Sequence, residues 1–405
     1  MHSQPDSAVL LRMTLRTVAI ALIAAAICVT NASAQHEIPS KRSEHPTLPL
    51  TSFYETPDTL TAAPPGTLIR SVRTNDYYLP QNIEVFRILY RSRDATGHDV
   101  ASSGVVLLPD RNPPDGGWPV IAWAHGLTGV ARGCAPSLVQ NLGEGSLLSM
   151  YVNLGYVVIA TDYTGLGTNF HNASVDTVSN AIDVIYSVPA AHKAVPQLAA
   201  KWIAMGAFEG GRAALEVAEQ ESNLRDPNYL GSVAISGVSD LRQVYLARST
   251  DPGGILFLLY GIKTVFPQFR LEDTLTENGT ALYRQIETSC KLPGISFSGD
   301  LLKPGWENNR FVQEFFARNM LGQKNAVAPL LVLSSDNDAA APISATTAIV
   351  EMLCKSGDRV QFYRYSSPDP HALVGESVRD QIDWIQGRFA GHPAPSNCAS
   401  PKPGP

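Results

Sequence analysis

Several signatures are missing from this 405-residue chain, and each absence removes a class of function. Charged residues make up only 17% of it and the formal net charge is −6. Its Lys and Arg are scattered, so the basic footprint of a nucleic-acid binder is absent. There are 5 cysteines, none paired at zinc-ligand spacing, which argues against a structural metal and gives no reason to expect a cofactor. No internal repeat is present, which excludes solenoids and propellers. The one long apolar run, residues 17–30, is short for a membrane span, which needs about 20 residues.

That run has another use. Arg12 and Arg16 precede "TVAIALIAAAICVT", and Ala32-Ser33-Ala34 follows as a small-residue cleavage site. This is the layout of a secretory signal peptide over residues 1–34, with a retained anchor as the alternative. Export to the periplasm or the medium, with no stable membrane anchor after cleavage, is the expectation. Cys28 would leave with the signal, so the mature chain keeps Cys134, Cys290, Cys354 and Cys398. Four cysteines in an oxidising compartment suggest two disulfides, with three connectivities open.

Residues 35–65, rich in Pro, Ser and Thr, read as a leader that wraps the domain or stays mobile. Two alternating β-rich runs follow, "IEVFRILYRSRD" and "DVASSGVVLLPD", joined through "ATGHD". "WPVIAWAHG", "NLGYVVIATDYTGLG", "KWIAMGAFEGG", "YLGSVAISGVSDL" and "AVAPLLVLSSDND" are then near-continuous apolar runs, as strands buried on both faces are. Helix-period segments lie between most of them. The pattern predicts an α/β fold with a mostly parallel central sheet: a first core part over 66–238 and a second over 326–390. Residues 239–325 are aromatic-rich and helical in period, and read as a helical cap inserted between strands. In the Pro-rich tail 391–405, only Cys398 offers an anchor.

"GAFEGG" is the most informative stretch. Gly206-Ala207-Phe208-Glu209-Gly210 has the small residues of a sharp strand-to-helix turn, which in hydrolases lifts a serine, yet Phe208 stands at its centre. No Gly-x-Ser-x-Gly occurs anywhere in the chain. Downstream come an acid and then a histidine, each after a strand: Asp336 and Asp338 in "SSDNDAAAP", and His371 in "PDPHALVG". Taken alone, the acids read equally as turn carboxylates and His371 as a loop histidine. "AHGLTG" supplies a glycine-containing loop after a core strand, a usual place for an oxyanion-binding N–H. Asp162 is expected to organise the floor of this site through hydrogen bonds, and His125 to be structural. Glu209 could be a carboxylate nucleophile after a one-residue shift of frame, and reads better as a turn-stabilising side chain.

Together, "HGLTGVARGCAPS", "YVNLGYVVIATDYTGLG", "GAFEGGRAAL", "DNDAAAP" and "PHALVG" resemble the secretory lipase family of α/β-hydrolases, over nearly the whole mature chain. The resemblance implies a nucleophile position at Phe208, an acid at Asp338 and a base at His371. It also implies an oxyanion loop of Gly126 and Leu127 with the N–H of Glu209, and pairing Cys134–Cys290 and Cys354–Cys398. The family frame reads Gly-His-Ser-Gln-Gly-Gly, from which this chain departs at three adjacent positions, Ala207, Phe208 and Glu209. Two functions are therefore in view: a non-hydrolytic or very weak homologue that binds a lipid or acyl ester, or a working lipase or carboxylesterase of the same family.

Overall fold

The computed structural model describes residues 46–405 except 58–59, 61–62, 248–251, 291–299, 339–340, 368, 399–401 and 404–405. The expected signal peptide and the start of the leader lie outside the described residues.

Strand β1 (Leu68–Thr74) pairs antiparallel with β2 (Ile83–Arg93), and β2 with β3 (Asp99–Pro109). Asp94 closes the β2–β3 hairpin by accepting from the N–H groups of Thr96 and His98, at 2.8 and 2.9 Å. The remaining strands are β4 (Trp118–Ala124), β5 (Val157–Thr161), β6 (Leu198–Ala207), β7 (Tyr229–Ile235), β8 (Leu330–Ser335), β9 (Val360–Tyr365) and the short β10 (Lys402–Pro403). They lie in the order β1-β2-β3-β5-β4-β6-β7-β8-β9-β10, and every pairing from β5 onward is parallel. The mostly parallel sheet expected from the sequence is present.

Helices cover both faces, which is why the central strands are apolar at consecutive positions. On one face α2 (Thr177–Ala194), α3 (Glu209–Leu224) and α8 (Ile343–Lys355) pack on Val120, Ala122, Ile159, Ala204 and Val332. On the other, α1 (Gly145–Asn153), α9 (Pro370–Glu376) and α10 (Val378–Phe389) pack on Ile121, Val158, Ile203, Met205 and Leu331. Alternate residues of one strand thus feed opposite cores.

Between β7 and β8 run helices α4 (Leu241–Ala247), α5 (Pro252–Val265), α6 (Glu277–Ile286) and α7 (Arg310–Arg318). They share a separate apolar cluster that includes Leu258, Ile262, Phe269, Val312 and Phe315. Within the leader, Tyr54 is buried against the domain, and its hydroxyl meets Ser137 Oγ at 2.8 Å.

Both disulfides are formed, Cys134–Cys290 and Cys354–Cys398. The tail is held by more than Cys398, contrary to the sequence reading. Asn397 caps an open edge of β9, accepting from Phe362 N–H at 2.8 Å and donating to Phe362 O at 2.7 Å, while β10 runs beside Tyr363 and Arg364. A proline-rich composition hid this, because a single asparagine amide mimics a strand backbone.

Candidate functional site

The site forms where β6 turns into α3. Phe208 sits at that bend with φ 59° and ψ −117°, in the left-handed region that L residues rarely occupy. Its N–H donates to Ile235 O at 2.9 Å, and its own carbonyl accepts from Gly211 N–H at 3.0 Å. The flanking glycines are required by contact. A Cβ on Gly206 would lie 2.2 Å from Gly210 O, and one on Gly210 would lie 2.0 Å from Ala124 O. Only a chain without side chains at both points bends this tightly against β4.

The Phe208 side chain is half-buried, and its ring packs against that of His371, with centroids 4.5 Å apart. His371 opens α9, where its N–H donates to the Asp369 carboxylate at 2.9 Å. Gly126 also lies close to the ring; a Cβ there would be 3.3 Å from Phe208 Cδ2. Residues 126, 208 and 371, remote in sequence, thus share one small volume. The neighbouring Leu127 is exposed.

Asp338 is buried; its carboxylate accepts from the Ser236 hydroxyl and, at 2.9 Å, from Ala341 N–H. Ser236 also has a positive φ of 56°, and its carbonyl would be 2.4 Å from a Cβ on Gly211, so it lies directly beside the bend. Asp336 faces elsewhere and pairs with Arg364 at 2.9 Å. The Glu209 carboxylate is turned aside, accepting from Val175 N–H and Asn180 Nδ2, both at 2.8 Å. Burial raises its pKa above the usual glutamate value, and these two hydrogen bonds oppose the shift. It braces the Val175 loop against the first turn of α2.

Beneath the site, buried Asp162 accepts from Ser103 Oγ at 2.6 Å, Ser137 N–H at 2.8 Å and Ser137 Oγ at 2.5 Å. Burial nevertheless pushes its pKa up to about 6. It therefore joins β3 to the segment before α1. His125 is buried with Nδ1 2.6 Å from Gly126 O and Nε2 3.1 Å from Asp162 O. A neutral ring can donate to only one of these carbonyls; burial lowers its pKa, and the two carbonyl contacts oppose that shift.

Three neighbours of the site had no signal in the sequence. Ser236 is one. Arg212, fully enclosed one turn into α3, donates to Ser239 O, Asn319 O at 2.6 Å and Thr177 Oγ1 at 3.2 Å. It ties the bend to both ends of the α4–α7 segment, and burial lowers its pKa to about 10. Asp176 caps α2 and pairs with Arg318 at 3.0 Å. Among the described residues no cluster of His, Cys, Asp and Glu is arranged to hold a metal, and no helix is long and apolar enough to cross a membrane.

The family model for secretory lipases matches residues 137–397. Candida albicans "Lipase 6" is 22% identical over 86% of this chain and 82% of its own length. A Mycobacterium tuberculosis protein named a probable inactive lipase is 22% identical over 87% of this chain and 85% of its own length. Among solved structures, Candida antarctica lipase A in its closed state superposes with a TM-score of 0.75 at 16% identity, covering 89% of this chain and 91% of that one. The rice cell wall degrading esterase LipA of Xanthomonas oryzae does so with a TM-score of 0.66 at 20% identity, covering 81% and 98%. The architecture is that of the α/β-hydrolase lipases and esterases.

Proposed function

We propose, because the chain belongs to the secretory lipase family, that it is an exported homologue that binds a lipid or acyl ester and does not turn it over by serine-esterase chemistry. In this reading Phe208 occupies the nucleophile position, Asp338 and His371 the acid and base positions, and Gly126, Leu127 and the Glu209 N–H the oxyanion loop. One observation carries it: the residue at the left-handed bend is a phenylalanine whose ring centroid is 4.5 Å from that of His371. A phenyl ring has no oxygen to attack a carbonyl and no proton for His371 to take. It also fills the space a reacting carbonyl must enter, to within about 3–3.5 Å of an attacking atom. Loss of a serine nucleophile costs about 10⁶-fold in kcat in subtilisin, and the residual ~10³-fold from oxyanion binding needs the very space this ring takes. The Mycobacterium tuberculosis relative named as a probable inactive lipase is consistent with such a role. Export is supported by the residue 1–34 pattern, the two disulfides and the similarity to a secreted triacylglycerol lipase of Malassezia globosa.

The test is turnover of p-nitrophenyl butyrate and palmitate by the mature protein, by His371→Ala, by Phe208→Ser, and by Phe208→Ser with His371→Ala. The reading requires no enzymatic turnover in the unmodified protein. Hydrolysis by the unmodified protein that His371→Ala abolishes would instead make it a working lipase or carboxylesterase.

A further inference from the structure

A second candidate site lies away from the bend, at the opposite end of α3. There a cavity of about 520 Å³ opens between the last turns of α2 and α3 and the start of β6. That volume is in the range of small-ligand pockets. It shares no residue with the site around Phe208, Asp338 and His371.

Its walls are apolar. Ile185 comes from α2, Trp202 from β6 and Leu224 from the end of α3. The polar groups stand out against them. Glu221 is only 1% exposed, and its Oε2 accepts from Asp226 N–H at 2.9 Å. Among the described residues its Oε1 accepts no hydrogen bond. Asp226 has both oxygens engaged, Oδ2 by Trp202 Nε1–H at 2.8 Å and Oδ1 by Asn228 N–H at 2.9 Å. Glu221 is therefore the acceptor left over, a nine-tenths buried carboxylate lining an apolar cavity.

The lining charges are of one sign apart from His192, whose burial disfavours its cationic form. Glu221 and Leu224 belong to the last turn of α3, and His192 to the last turn of α2. Each helix end carries about half a negative charge from its unpaired carbonyls. Two carboxylates and two helix C-termini meet here, and no Lys or Arg lines the cavity. An anion would be repelled, and a neutral alcohol would leave the buried carboxylate poorly compensated. A cation on an apolar body satisfies both features: its N–H groups meet Glu221 Oε1, its chain covers Ile185 and Leu224, and the Trp202 ring adds polarisable surface.

We infer that this cavity is a binding site for an organic monoammonium ion carrying a short apolar body, independent of the lipase-type site.

Isothermal titration at pH 8 with hexylammonium chloride, hexan-1-ol and sodium hexanoate tests it. Hexylammonium is expected to bind with Kd on the order of 10⁻⁴–10⁻³ M, as its few heavy atoms allow, hexan-1-ol at least tenfold more weakly, and hexanoate not at all. Glu221→Gln should weaken hexylammonium at least tenfold. Should that variant not fold, Leu224→Lys decides, since Leu224 is 49% exposed and its replacement sets a built-in ammonium at the mouth of the cavity. Binding should then be lost. Equal affinity for the alcohol, unchanged affinity in Leu224→Lys, or no affinity for the amine in the unmodified protein overturns the inference. Phe208→Ser should leave all three titrations unchanged, so the outcome stands apart from that of the esterase assay.

Discussion

The phenyl ring of Phe208 and the imidazole of His371 face each other with centroids 4.5 Å apart and planes inclined at 49°. An aromatic pair of this kind stabilises by about 0.5–1.5 kcal/mol beyond the area it buries. In the proposed reading, the contact occupies the place where a nucleophile's hydroxyl would hydrogen-bond the same imidazole.

Replacing the ring with a hydroxyl should therefore restore chemistry. Phe208→Ser is expected to hydrolyse p-nitrophenyl butyrate at least about 10²-fold faster than the unmodified protein, a general-base contribution that His371→Ala should erase in the same background. The measurement is initial rate against substrate concentration. Equal rates in Phe208→Ser with and without His371 would remove His371 from the base position.

The backbone at Phe208 separates strain from packing. Its φ of 59° costs an L residue on the order of 1–3 kcal/mol, which glycine does not incur. Removing a half-buried ring costs about 1–2 kcal/mol. Phe208→Gly should thus be within about 1 kcal/mol of the unmodified protein in urea unfolding, and Phe208→Ala about 1 kcal/mol less stable than Phe208→Gly.

The bend itself tolerates no added carbon. In Gly210→Ala the new Cβ would meet Ala124 O at 2.0 Å and Ala124 C at 2.4 Å, both backbone atoms that cannot swing away. A loss above about 4 kcal/mol, or failure to fold, is expected. Gly375→Ala, where nothing lies within 4 Å, is the control and should be neutral or stabilising by up to about 1 kcal/mol.

Two buried acids set a pH trend. Burial pushes Asp162 and Asp183 up to about 6, above their unfolded value of 3.8. Below about pH 4 both states are protonated; as pH rises from there to about 6 the unfolded state ionises first, and stability falls. Urea midpoints should therefore decline from pH 4 to pH 6. Asp162→Asn should flatten that decline by up to about 3 kcal/mol. A midpoint that rises over this interval by the same amount in both proteins would contradict the assignment.

The tail disulfide closes a loop with a sequence separation of 44. Loop-closure entropy assigns it about 4 kcal/mol, so Cys354→Ser with Cys398→Ser should lower the thermal midpoint by several degrees. The amides of Phe362 and Asn397 should keep partial protection from exchange, because the Asn397 bridge to β9 does not depend on the sulfur.

Much of this was legible in the chain. The apolar runs of β4 to β8 read as strands because a strand covered on both faces has no polar side to interrupt it. The frame Gly206 to Gly210 read as a bend because glycine there answers a local steric demand. What escaped were partners set by distance in sequence. Ser236 and Asp338 are 102 residues apart, and a serine after a strand looks the same with or without a carboxylate above it. Arg212 carries no local signal, because Ser239 and Asn319, which close over it, lie 27 and 107 positions away. The tail read as loose for the same reason.

By itself, the amino-acid order determined the alternation of strands and helices, the sharp bend and the phenylalanine at its centre, since these depend on residues within a few positions of each other. Only the folded chain decided that this ring rests on His371, that Glu209 turns away to hold Val175, and that two helix ends and a carboxylate meet around one apolar cavity. Those are contacts between distant segments, and their positions follow from how the sheet stacks its helices, which no local pattern encodes.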